Sequence, residues 1–95
     1  MAQTAATGAG LALPATLTMD EASATLARLQ QALAGGGAAV LDASALTELD
    51  TAALAVLLEC KRRCAARGQT LAVTAAPDKL VKLAQLYGVA ELLGL

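Results

Sequence analysis

Three groups of residues have the types and spacing to suggest chemistry. They are the carboxylates Asp42 and Asp50, the hydroxyl of Thr51 next to Asp50, and the thiols Cys60 and Cys64 beside the basic run Lys61-Arg62-Arg63. Two carboxylates can share general acid and base roles, yet each of these has a simpler task. Asp42 closes a strand, and Asp50 stands immediately before an apolar-rich helical pattern, where its carboxylate can accept from the N–H of Ala52 or Ala53 as an N-cap. The chain contains no histidine, the side chain whose ordinary pKa suits proton transfer near pH 7. No nucleophile–base pair and no metal-ligand set stands out, and there is no GxxxxGK[ST] loop to cradle phosphates. The sequence therefore reads as a non-catalytic chain with no cofactor and no metal.

Cys60 and Cys64 lie four apart on one helix, a spacing that is poor for a direct disulfide. Two thiols without histidine are also too few for a zinc site. They read as two small apolar side chains of the helix's inner face; a redox switch would require a lowered thiol pKa, for which the neighbouring cations are the only argument. Thr51 falls at the first helical position, with its hydroxyl outward beside the positive end of the helix dipole. A hydroxyl so placed can serve as a phosphate acceptor or as a contact point.

Positioning these groups falls to a small single domain. Ninety-five residues suffice for one core. The net charge of −1 gives no electrostatic footprint for nucleic acid. Hydrophobic residues make up 57%, much of it alanine, and the only aromatic residue is Tyr87. The core must then be built from Leu, Val and Ala, with helices close to the sheet. No apolar run reaches the roughly 18–20 residues that span a bilayer. The start lacks a basic signal-peptide region, so a cytoplasmic protein is expected.

Residues 1–9 are expected to be a flexible tail and 10–95 the domain. Leu11 and Leu13 suggest a short strand that Pro14 interrupts, with a second short strand at Ala15–Leu17. Thr18 and Glu21 match a capping box, and Met19, Ala22, Leu26, Leu29 and Leu33 recur at helical spacing as an inner stripe. Gly35-Gly36-Gly37 ends that helix. Ala39-Val40-Leu41 reads as a strand covered on both faces, and Asp42, Ser44 and Thr47 as loop residues bonding nearby backbone. The helix from Thr51 turns Ala53, Leu57, Cys60 and Cys64 inward and ends at Gly68. Thr70–Thr74 is a further strand. A helix from Pro77, with Leu80, Leu83 and either Ala84 or Tyr87 inward, ends at Gly88, and a helical turn follows at Ala90–Leu93. Strand–helix–strand units favour parallel pairing, with the opening strand pair free to be antiparallel. The expected fold is α/β: a two-layer sandwich of a mixed four- to five-stranded sheet with helices mainly on one face.

The segments Leu41-Asp42-Ala43-Ser44 and Leu49-Asp50-Thr51-Ala52-Ala53-Leu54 resemble the central signature of STAS domains, the anti-sigma-factor antagonist-like modules. The resemblance runs from about Leu11 to Leu95 and implies the same two-layer fold. It implies that Thr51 is the regulatory phosphoacceptor or a key partner contact, with Ser44, Thr47, Asp50 and Ala52 gathered around it. Where the family often carries glycine, this chain has Ala52 or Ala53, which limits how closely another backbone can approach. Leu57 to Arg63 and the tail Leu83 to Leu93, with its Leu-Tyr-Gly-Val, are similar to the branch of the family that serves Mla-type phospholipid-transport ABC systems. That likeness implies a partner, the ATPase subunit, and through it the permease complex at the inner membrane, in the service of outer-membrane lipid asymmetry. The alternative it leaves open is an anti-sigma-factor antagonist that binds a serine/threonine kinase and is switched by phosphorylation of Thr51. Ser44 is read as a loop cap before it is read as a contact. Tyr87 is read as a core-edge side chain with its hydroxyl in water.

Overall fold

Strand β3 (Ala39–Asp42) lies at the centre of a three-stranded parallel sheet, between β1 (Ala9–Ala12) and β5 (Leu71–Thr74). This computed structural model describes residues 9–35 and 37–95. The expected tail lies outside the described residues except for Ala9, which opens β1. Two further short strands, β2 (Thr16–Leu17) and β4 (Glu48–Leu49), pair in parallel with each other. Helices α1 (Met19–Leu33), α2 (Thr51–Ala66), α3 (Asp78–Leu86) and α4 (Ala90–Leu93) complete the chain.

All the strand pairs among the described residues are parallel, so the mixed four- to five-stranded sheet does not form there. The two opening strands, which the sequence left free to pair antiparallel, do not pair with each other among the described residues. The chain bends at Pro14 instead of reversing, so β2 continues in the direction of β1 and pairs alongside the continuation of β3. Backbone bonds link the two ladders: Leu13 N–H donates to the Asp42 carbonyl at 2.9 Å, and the Thr47 and Glu48 N–H groups both donate to the Ala15 carbonyl at 2.8 and 3.0 Å. Pro14 cannot donate, and the loop 43–47 separates β3 from β4. These two interruptions split one pairing direction into a sheet of three strands and a sheet of two.

The sheet has one covered face. Leu41 is buried opposite the partly buried Leu11 and Val73, and Ala39 is buried opposite the buried Leu71. The alternate positions Gly10, Ala12, Ala72 and Thr74 are exposed, and Val40 is only half-buried. The Ala39-Val40-Leu41 run is therefore covered on one face, not on both. Its alternation is invisible in sequence because both faces of β3 carry apolar residues.

Helix α1 starts on the expected capping box: the Glu21 carboxylate accepts from the Thr18 N–H at 2.9 Å and from its hydroxyl at 2.7 Å. These bonds hold the Glu21 carboxyl below the usual carboxylate range. Its inner face is formed by Thr25, Leu29 and Leu33, with Ala22 and Leu26 half-buried. Met19, expected in that stripe, is 76% exposed. Helix α2 buries Ala53, Leu54, Val56, Leu57, Cys60 and Cys64 against α1, β5 and the α3–α4 corner. In α3 the inner stripe resolves to Leu80 and Ala84, and Tyr87 points outward.

A buried side chain with no signal in the periodicity, Gln69, fastens the far end of this layer. Its amide donates to the Leu33 carbonyl at 3.0 Å and to the Gly37 carbonyl at 3.2 Å, and its oxygen accepts from Arg67 Nε at 2.8 Å. It thereby satisfies the Leu33 carbonyl, which the end of α1 leaves without an intrahelical partner, and the Gly37 carbonyl beyond the helix. Replacing Gln69 with Leu keeps the volume and strands those carbonyls. The expected loss is about 1–3 kcal/mol, read in urea denaturation as a lower midpoint with an unchanged slope.

Candidate functional site

The start of α2 is set by Asp50. Its Oδ1 accepts from the Ala52 N–H at 2.8 Å, while the Ala53 N–H donates to the Asp50 carbonyl at 3.0 Å. Its other oxygen, Oδ2, faces the Met19 N–H at 3.4 Å, at the first residue of α1. One carboxylate thus stands at the positive ends of two helices, where negative charge is stabilising. This contact brings the two helix starts side by side.

Thr51 follows as the first residue of α2 and is exposed. Thr51, Leu54, Ala55 and Leu58 recur at helical spacing and form one wall of a groove of about 330 Å³, whose other wall is Tyr87 and Val89 from the α3–α4 corner. The groove is apolar apart from the two hydroxyls at its rim. Tyr87 is 58% exposed, and Leu86 and Leu92 beside it in the chain are exposed at 77% and 58%. Exposed apolar side chains of this size on one corner mark a surface suited to contact with another molecule.

The remaining sequence-derived candidates occupy different places. Ala52 is half-buried behind Thr51, and Asp50 is exposed at the cap. Ser44 and Thr47 are exposed in the loop between β3 and β4 and do not line the groove. Each is tied to backbone nearby: Ser44 N–H donates to Asp42 Oδ1 at 2.9 Å, and the Thr47 hydroxyl donates to the Ala15 carbonyl at 3.2 Å. The Ser44 bonds hold the Asp42 carboxyl below its usual range. Leu54, Ala55, Leu58, Tyr87 and Val89 were not among the candidates. The i, i+3, i+4, i+7 spacing from Thr51 was the available signal for the first three. For Tyr87, an isolated aromatic next to the glycine that ends α3 was the only hint.

The cysteines are buried and free. Burial pushes the Cys60 thiol up to about 11, with Cys64 and Glu59 acting in the same direction. Such a thiol is protonated at neutral pH and is a poor nucleophile. Among the described residues there is no cluster of His, Cys, Asp and Glu able to hold a metal ion, and no helix is long and apolar enough to cross a membrane.

Over residues 2–94 the chain matches the family described as "Mlab, STAS domain". The chain belongs to the STAS domain family. The α/β arrangement of four helices on small parallel sheets is consistent with that fold. No curated protein matches the chain. STAS domains are protein-interaction domains, so the groove at Thr51 belongs to a fold that works by contact.

Two measurements check this description of the STAS domain. Asp50→Ala removes the cap of α2 and the contact to Met19 together; the expected cost is about 1–2 kcal/mol in a thermal or urea melt. Iodoacetamide at pH 8 should leave Cys60 and Cys64 unmodified in the native domain and alkylate both in denaturant, read by intact mass. Fast native labelling would show that the α2 inner face opens.

Proposed function

We propose that this STAS domain is a non-catalytic subunit that docks on the ATPase of an Mla-type ABC transporter. It is cytoplasmic and reaches the inner membrane through that partner. There it supports the movement of phospholipid between inner and outer membranes that maintains outer-membrane lipid asymmetry. The observation that carries the reading is the coincidence of the Mlab-type family match with an exposed Thr51 on the rim of an apolar groove. The contact surface is Thr51 with Asp50 and Ala52 at the start of α2, the groove beyond them, and the loop residues Ser44 and Thr47 at its margin.

Docking of a rigid domain acts by selection. If the ATPase form that binds the groove is the competent one, the domain raises its population by the difference in affinity between the two forms. Thr51 is the control point on this surface. A phosphoryl group there adds about −1.5 to −2 charges. The helix start favours that charge, but Asp50 stands beside it, and a solvated dianion at an apolar rim disfavours docking.

Thr51→Glu is therefore expected to weaken binding to the purified ATPase subunit at least about tenfold, about 1.4 kcal/mol, with far-UV circular dichroism and melting temperature unchanged. Unchanged affinity of a folded Thr51→Glu variant rules out this placement of the interface. Binding to a serine/threonine kinase of the anti-sigma type in place of the ATPase, lost on phosphorylation of Thr51, moves the function to partner switching.

A further inference from the structure

Helix α2, whose exposed strip walls the groove, has side chains of opposite charge toward its two ends. At the start of α2 stand the exposed acids Asp20, Glu48 and Asp50, brought together by the contact between Asp50 and Met19 and by the pairing of β4 with β2. The basic residue nearest to Asp20 in sequence, Arg28, is directed to the Ala12 carbonyl at 3.2 Å. At the other end of α2 stand Lys61, Arg62 and Arg63. Glu59 pairs with both Arg62 and Arg63, each at 2.6 Å, which leaves the cluster with net positive charge. Arg62 is the next residue on the Thr51–Ala55–Leu58 strip at helical spacing, about 16 Å from Thr51 along the axis, and its side chain is 66% exposed. The groove floor between the poles is aliphatic.

We propose that the element seated on α2 is an amphipathic helix of the partner. It carries basic residues at the Thr51 end, acidic residues at the Arg62 end and aliphatic residues between them. The walls of the groove come from one helix face and a helix–helix corner, which offer side-chain pockets and no free strand edge, so a helix fits and an added strand does not. A helix with acids near its N-terminus and bases near its C-terminus is itself dipole-matched. Complementarity to the two poles then sets it antiparallel to α2. This inference rests on the ATPase reading and adds the chemistry and direction of the contact.

The test titrates the purified ATPase subunit with wild type, Glu48→Lys, Arg62→Glu and the milder Arg62→Gln, at about 50 mM and about 500 mM salt, where surface charge is weakly and strongly screened. Glu48 caps no helix, and Arg62→Gln keeps a long side chain on the strip, so both leave the fold intact by circular dichroism. Each reversal is expected to weaken binding about tenfold or more at low salt, Arg62→Gln by less, and all three losses shrink at high salt. Wild-type binding that is insensitive to both poles, tighter binding of either reversed variant, or an equal loss from Lys82→Glu on the outer face of α3 overturns the proposal while leaving the ATPase reading standing. Absence of wild-type binding removes the ATPase reading and this inference with it.

Discussion

Helix α2 is the constraint on which the rest of the structure depends. It touches each of the other three helices and the sheet strand β5, so a wide arc of its circumference is buried. Alanine, cysteine and leucine on that arc let the neighbours approach closely, which a core without phenylalanine or tryptophan requires. What those contacts leave outside is a narrow strip beginning at Thr51. The proposed binding surface is therefore not an addition to the fold. It is the remainder of α2 once its neighbours are seated, and its second wall is the α3–α4 corner that buries Leu54 and supports Leu58.

Much of this was legible in the sequence. The caps at Thr18 and Asp50, the stop at Gly88, and the inward Leu57, Cys60 and Cys64 follow from local rules, because each depends on residues within one or two turns. The parallel pairing across the strand–helix–strand units was legible as well; the partner of β2 was not, since it depends on how the segments around Pro14 and 43–47 come together. The one-sided cover of β3 was hidden by Val40, an apolar residue on the uncovered face. Gln69 was invisible because its partners, Leu33 and Gly37, lie more than thirty residues away. At the candidate site, Thr51 and its cap were readable from spacing. The choice between Ala84 and Tyr87 for the inner face stayed open in the sequence, and the structure settles it with Leu80 and Ala84 inward and Tyr87 outward.

The polar chemistry described above is structural. Its acidic groups serve backbone: Asp50 at two helix starts, Glu21 at Thr18, Asp42 at Ser44. Its thiols are buried, and burial keeps that of Cys60 protonated. Asp50 also makes the starts of α1 and α2 a single unit, so the geometry presented at Thr51 depends on where α1 sits, although α1 contributes nothing to the groove itself.

Tyr87 has a further consequence. It is the only aromatic ring in the chain, and it stands at the groove, not in the core. The intrinsic near-ultraviolet absorption and fluorescence of the domain therefore originate almost wholly at this groove. For this molecule a spectroscopist holds a built-in optical probe of the occupied and empty groove, one that is nearly blind to the packing of the interior.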